Sequence, residues 1–331
     1  MRLLFRLVLA LSLLVAPGAA LARTILAAIP ISRMDLPWWH KRFDEKQAEL
    51  QEKHPQLIFL GDSITQNWER HGPPDWADYA PVWQRFYGDR DAVNLGFIGD
   101  TTSSLIWRLR NGELDGISPK VAVVLIGANN LGRLHWSTED TVAGIDTIIA
   151  ELHRRLPHTK VLLLGVLPSE RSAWATETTV AINRDLAAKY AQGGEVTFLD
   201  VGHIFLRDGK LDRELFYDPK LAPPEAPLHP TAQGMALMAA AMEPTLAALL
   251  GDRTHLTPRS RAHALRQPMP EWPRLSRYMI SGQPKASANS SSARLANARI
   301  LPIRSASPVS SVIACAEGPA NAMQVWPAAS P

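Results

Sequence analysis

A single cysteine, Cys315, leaves this chain without the means to form an internal disulfide. A protein of 331 residues must then hold itself together by an apolar core, and 46% hydrophobic residues are enough to build one. The opening apolar stretch is too short to span a bilayer comfortably, and no later segment is expected to have the length either. The histidines His135, His153, His158 and His203 lack the spacing of metal ligands, and no resident metal or organic cofactor is expected. A basic groove for nucleic acid is missing as well, although the net charge is +3. Residues 252–331 hold ten Lys/Arg against Asp252, Glu271 and Glu317, which leaves residues 1–251 at −4.

What the chain does contain begins with an export signal. Arg2 and Arg6 supply a positive start, Leu7 to Val15 an apolar stretch, and Ala20-Leu21-Ala22 a small-residue cleavage site. Residues 1–22 are therefore expected to be a signal peptide. Cleavage would release the protein to the periplasm or medium without a stable membrane anchor. Residues 23–55 read as a lead-in segment with a helix over Leu36–Lys53, in which Trp38 and Trp39 are expected to be buried.

Five short apolar runs follow, at Gln56–Leu60, Ala92–Leu95, Val121–Ile126, Val161–Val166 and Val196–Leu199. Between and after them lie stretches of helical spacing at Thr102–Arg110, Thr138–Leu156, Thr176–Ala191 and Thr231–Leu250. Strands separated by helices of that length imply parallel βαβ units, and so one α/β domain over 56–251 with helices on both faces of the sheet. In such sheets ligands bind beyond the carboxyl ends of the strands. From residue 252 Ser, Ala, Pro and Arg dominate and periodicity ends, which predicts a disordered basic tail.

The strand ends carry the chemistry. The first gives Gly61-Asp62-Ser63-Ile64-Thr65, a serine at a helix start, where a hydroxyl and a free N–H meet. An N-cap serine reads the same way on this fragment alone. The second strand gives Gly99-Asp100-Thr101-Thr102, the third gives Gly127-Ala128-Asn129-Asn130, and Leu228-His229-Pro230-Thr231 precedes the last helix. These four blocks, in this order, resemble the SGNH/GDSL hydrolases. Gly99–Thr102 continuing into Trp107-Arg108-Leu109 is similar to the branch that includes the catalytic subunits of platelet-activating-factor acetylhydrolase.

The resemblance implies a flavodoxin-like three-layer α/β/α sandwich around a parallel sheet of about five strands. It implies Ser63 as nucleophile, His229 as base, and an oxyanion hole from the Ser63 N–H, the Gly99 N–H and the Asn129 side-chain amide. The family's acid would stand at position 226, where this chain has Ala226. Glu225, Asp218, or a backbone carbonyl orienting a Ser–His dyad remain as candidates for the third role. Asp62 and Asp100 read as scaffold acids that tie the loops together, and Asp200 as structural. Trp136 and Trp174 follow strand ends and are candidate substrate contacts. The expected partner is a small acyl ester, preferably of a carbohydrate or other polar alcohol. A carbohydrate O-acyltransferase using the same acyl-enzyme, and a non-catalytic polysaccharide-binding module, are the alternatives. Nothing in the sequence bears on oligomeric state.

Overall fold

In the computed structural model, residues 23–72, 77–216 and 227–256 are described. Five strands form one parallel sheet: β1 (Leu57–Gly61), β2 (Ala92–Gly96), β3 (Val121–Leu125), β4 (Lys160–Leu164) and β5 (Val196–Leu199). Their spatial order is β2-β1-β3-β4-β5, the flavodoxin-like order. The direction of winding reverses between β1 and β3, which opens a crevice at the carboxyl ends of those two strands. Register pairs Gly61 of β1 with Gly96 of β2 on one side and with Leu125 of β3 on the other.

Strand side chains alternate between the faces, and each face is covered by helices. Leu57, Phe59, Val121, Val123, Leu162 and Leu164 face one core. There they meet α3 (Ala80–Tyr87) and α8 (Ala232–Leu250), through Phe86, Met235, Met238, Met242 and Leu246. Ile58, Leu60, Val93, Val124, Val161 and Leu163 face the other. That side is covered by α4 (Thr102–Arg110), α6 (Thr138–Arg155) and α7 (Ala173–Lys189), through Leu105, Leu109, Ile145, Ile148, Ile182 and Leu186. Fully burying one such side chain contributes about 1.5–3 kcal/mol, so the two cores carry the stability a disulfide would otherwise supply. Two short helices sit at strand ends, α2 (Ser63–Gln66) after β1 and α5 (Ala128–Gly132) after β3.

The lead-in helix α1 covers Pro37–Lys53, opened by Pro37 in its first turn and closed by His54 in a left-handed conformation. Its buried stripe is Trp39, Phe43, Lys46 and Leu50, spaced at the helical period. Trp38 falls off that stripe and is 42% exposed, so only Trp39 buries the helix as expected. The Arg33 guanidinium lies 5.3 Å from the Trp38 ring centroid instead.

Two further expectations change. A two-stranded hairpin, β6 (Leu206–Arg207) and β7 (Lys210–Leu211), turns at Asp208-Gly209, both at positive φ, and was absent from the strand count. Helix α8, with 19 residues and a mean hydropathy of 1.2, is long and apolar enough to span a membrane, contrary to the reading that no later segment is. Its apolar residues Met235, Met238, Met242 and Leu246 pack in the domain core.

Contacts of the domain also run past residue 251. Arg90, almost fully buried, grips both carboxylate oxygens of Glu243 in α8 at 2.7 and 2.8 Å. The same guanidinium reaches Asp252 at 2.8 and 3.0 Å. His255 donates its backbone N–H to Glu243, and Leu256 is buried. Residues 252–256 therefore belong to the domain, because two buried charges need these partners. The rest of the predicted tail, 257–331, and the predicted signal peptide, 1–22, lie outside the described residues.

Candidate active site

Strand β1 delivers the serine. Asp62 caps α2 by accepting the Ile64 N–H at 3.0 Å, which places Ser63 at the first helical position. Neighbouring Gly96 of β2 has no side chain because a Cβ there would stand 2.1 Å from the Gln66 backbone nitrogen. The short helix thus rests directly on the sheet, and Ser63 Oγ is presented at the crevice. His229 Nε2 lies 2.8 Å from that oxygen, 166 residues further along the chain. The histidine loop is fixed just beyond it: Tyr79 donates its hydroxyl to the Pro230 carbonyl, and the Thr231 N–H donates to the Leu215 carbonyl. With Nε2 unprotonated, Ser63 donates its hydroxyl proton to it, the geometry a general base requires.

The second loop is a turn from Phe97 to Asp100, closed by the Asp100 N–H donating to the Phe97 carbonyl at 3.1 Å. Gly99 occupies its third position at φ +74°, as a type II turn requires. No described residue accepts from the Gly99 N–H. A Cβ on Gly99 would stand 2.4 Å from Arg133 Nη1 and 3.3 Å from an Arg33 nitrogen, so two guanidiniums crowd this residue.

Asn129, in α5 after β3, completes the third corner. Its Nδ2 donates to the Asp100 carbonyl at 3.0 Å and approaches Asp62 Oδ2 at 3.5 Å. The carboxyl ends of β1, β2 and β3 therefore bring Ser63, Gly99–Asp100 and Asn129 together with His229. Neighbouring Asn130 turns the other way: it accepts the Thr102 N–H and donates to the Thr102 hydroxyl, tying α5 to α4.

The two acids of these loops are scaffold, as expected, and both are fully buried. Asp100 accepts from Arg33 and from the Trp39 indole at 2.8 Å, and from Arg108 at 2.9 Å. Arg108, with no exposed surface, also pairs with Glu113 and lies 4.1 Å from the Phe97 ring centroid. Burial raises the Asp100 carboxyl above the usual range, with Arg108 opposing it. Asp200, just after the carboxyl end of β5, accepts from Gly202 and Asn183, a structural role.

Asp62 is pushed up to about 7, chiefly by burial and further by the charge of Asp100; the Ile64 N–H and Arg171 act against this. Its folded-state pKa thus lies above the unfolded value near 4. Below about pH 4 both states are protonated and Asp62 costs nothing; the cost grows as pH rises toward 7 and is complete above it. Within that window each pH unit removes up to about 1.4 kcal/mol. Asp62→Asn keeps the cap and is expected to melt at higher temperature than the parent at pH 8, with the gain shrinking toward pH 5. Melting curves across that range measure it, and a gain independent of pH would show that Asp62 is not the titrating group.

Both carboxylates proposed for the third role, Glu225 and Asp218, lie outside the described residues. Trp174 is exposed and its ring packs on His135 at 5.3 Å, whereas Trp136 is half-buried and outside that pair. Among the described residues no group of His, Cys, Asp and Glu is arranged to hold a metal ion. Sequence reading gave no role to Arg33, Arg108, Asn130 or Arg171. Arg108 had a signal, because it lies in the apolar phase of Leu105, Ile106 and Leu109. Arg171, after β4, donates to the Ala128 carbonyl at 2.5 Å beside α5.

A serine hydroxyl on an imidazole, beside a glycine turn and an asparagine amide at the switch point of a parallel sheet, defines a serine-nucleophile hydrolase architecture. The sequence model of the GDSL-like lipase/acylhydrolase family matches residues 59–237, and the chain belongs to that family. Subunit alpha2 of platelet-activating factor acetylhydrolase IB from Homo sapiens is 34% identical over 139 residues, 41% of this chain and 55% of that protein. The chain thus spans about half the length of the curated relatives it matches. Among solved structures, a GDSL-like lipase from Bacteroides thetaiotaomicron is 20% identical with a TM-score of 0.47, covering 63% of this chain and 97% of that one. A carbohydrate acetylesterase family member from Sinorhizobium meliloti is 19% identical with a TM-score of 0.43, covering 59% and 98%.

Proposed function

We propose that this protein is an exported carboxylic ester hydrolase working through an acyl-enzyme on Ser63. The observation that carries the reading is the 2.8 Å contact between Ser63 Oγ and His229 Nε2 at the sheet's switch point. His229 takes the hydroxyl proton as Oγ attacks the ester carbonyl, and the tetrahedral oxyanion forms against the Ser63 N–H, the Gly99 N–H and an Asn129 amide hydrogen. His229 then hands the proton to the departing alcohol oxygen. Water repeats the sequence on the acyl-enzyme, giving up a proton to His229 and releasing the acid. The neutral asparagine stabilises the oxyanion without forming an ion pair with the product carboxylate.

The preferred substrate is a small acyl ester, acetyl foremost, on a carbohydrate or other polar alcohol. Support for the acyl group comes from the acetylhydrolase relatives, which match over 139 residues. Support for the alcohol comes from Trp174, exposed and packed on His135 after β3 and β4, since an exposed indole face suits a sugar ring. Export rests on Arg2, Arg6, the apolar stretch and Ala20–Ala22.

A fluorophosphonate probe is expected to label the protein at Ser63 and to leave the Ser63→Ala variant unlabelled; persistent labelling of that variant would overturn the assignment. Sequencing the labelled product from medium or periplasm should find Arg23 first, whereas an intact Met1 in a membrane fraction would contradict export.

A further inference from the structure

The lead-in segment reaches into the site from outside residues 59–237, the part matched by the family. Arg33 Nη1 donates to the Ile98 carbonyl at 2.8 Å and to Asp100 Oδ1 at 2.8 Å. The Ile98 carbonyl and the Gly99 N–H are the two ends of one peptide unit. In a trans peptide they point in opposite directions, so a donor fixed on the oxygen fixes where the N–H points.

That fixation has something to oppose. Gly99 sits at φ +74° in a turn closed from Asp100 to Phe97. Type I and type II turns differ by a flip of the central peptide, here Ile98–Gly99, and glycine tolerates both backbone states. A flip would aim the carbonyl where the N–H had been. The neighbouring groups are held as well: Gln66 Oε1 accepts the Ile98 N–H, and the Arg42 guanidinium donates to the Gly96 carbonyl, each at 2.8 Å. Only Arg33 among them holds the central peptide by its oxygen. Its charge has a second effect, since a cationic donor on a carbonyl polarises the peptide and strengthens the N–H at the other end.

We propose that Arg33 is a positioning residue for ester hydrolysis, locking the Ile98–Gly99 peptide so that the Gly99 N–H faces the oxyanion. This rests on the acyl-enzyme reading above. Arg33 acts through the turn, by its hydrogen bonds to the Ile98 carbonyl and to Asp100. Its own anchor is Asp100, itself held by Trp39 and Arg108, so the lead-in segment and the buried charges beneath the site form one support for one N–H. The Ile98 oxygen would lose its charged donor in Arg33→Gln, whereas Arg33→Lys keeps a cation that can still reach the turn.

The test is steady-state hydrolysis of 4-nitrophenyl acetate by the full chain, its Arg33→Gln and Arg33→Lys variants, and Ser63→Ala. Loss of an entire oxyanion donor costs roughly a hundredfold to a thousandfold in kcat, so a misdirected one in Arg33→Gln is expected to cost about thirtyfold, with KM within about twofold. Acylation and deacylation should slow together, because both pass through the oxyanion, and the pH profile set by His229 should keep its midpoint. Arg33→Lys should recover most of the loss. An Arg33→Gln enzyme with kcat within threefold of the parent, or one whose loss lies in KM, would overturn the proposal. So would an Arg33→Lys enzyme that folds normally yet is as slow as Arg33→Gln. If the parent itself shows no turnover beyond Ser63→Ala, the acyl-enzyme reading falls and this role with it; if the parent is active, only the role of Arg33 is at stake.

Discussion

Alanine at Ser63, alanine at His229, and alanine at both are expected to leave three proteins of nearly the same residual activity. The serine is a poor nucleophile until its proton has somewhere to go, and the imidazole 2.8 Å away is useful only while the serine is there to be deprotonated. The pair acts as one device, so removing either half removes the whole. Losses in kcat on the order of 10⁴ to 10⁶ are expected for each single variant, with the double variant no worse than about threefold beyond them. What survives is the turn at Gly99 and the Asn129 amide, which still stabilise an oxyanion when water attacks directly. Turnover of an activated acetate ester measures this, with melting curves to show that the variants fold. Multiplicative losses in the double variant would mean that Ser63 and His229 serve separate steps. Residual activity near the parent's in either single variant would remove that residue from the reaction.

Much of this arrangement was legible beforehand, for reasons that differ from element to element. The strands were visible because each is a short apolar run between turn residues, and parallel strands buried on both faces need such runs. Their order in the sheet was not written in any one run; the reversal between β1 and β3 came only with the family resemblance. Ser63 and Asn129 could be placed because each follows a strand, where an α/β sheet puts its ligands. His229 was found by the order of motifs, since nothing local distinguishes a histidine before a helix.

What stayed hidden acts through backbone atoms or across long separations. Arg33 lies in an irregular segment without periodicity, and its targets are a carbonyl 65 residues on and a carboxylate 67 residues on. Trp38 and Trp39 looked alike as a pair, yet adjacent helix positions point about 100° apart and only one fits the stripe of Phe43 and Leu50. Residues 252–256 read as tail because apolar periodicity ends there, yet the Asp252 carboxylate answers Arg90 and the His255 N–H answers Glu243. Composition flags a solvated segment and a buried ion-pair partner in the same way.

The third catalytic residue is the position where this chain departs from its family, and there a single substitution is expected to have a large effect. A carboxylate on the far nitrogen of the histidine fixes its tautomer and stabilises the imidazolium that forms during attack. Misorienting the ring costs around ten-thousandfold in the chymotrypsin-type triad. Alanine stands at position 226, where the family's acid belongs, and Glu225 is its immediate neighbour, with one more methylene to extend toward the ring. Asp218 is eleven residues before His229 and would need the Pro219–Pro224 stretch to turn back. Glu225→Gln is therefore expected to lower kcat by on the order of a hundredfold or more with KM little changed, since the loss falls on the transition state. Asp218→Asn should then be mild. The reverse ranking would transfer the role to Asp218. If neither variant loses more than about threefold, roughly 0.65 kcal/mol, Ser63 and His229 work as a dyad oriented by a backbone carbonyl. Both variants should be measured on one activated acetate ester, with melting curves alongside. The pH profile separates the cases further: losing a true triad carboxylate lowers the pKa of His229, because the imidazolium loses its partner. The rate midpoint would then move to lower pH in the variant that matters and stay in place in the other.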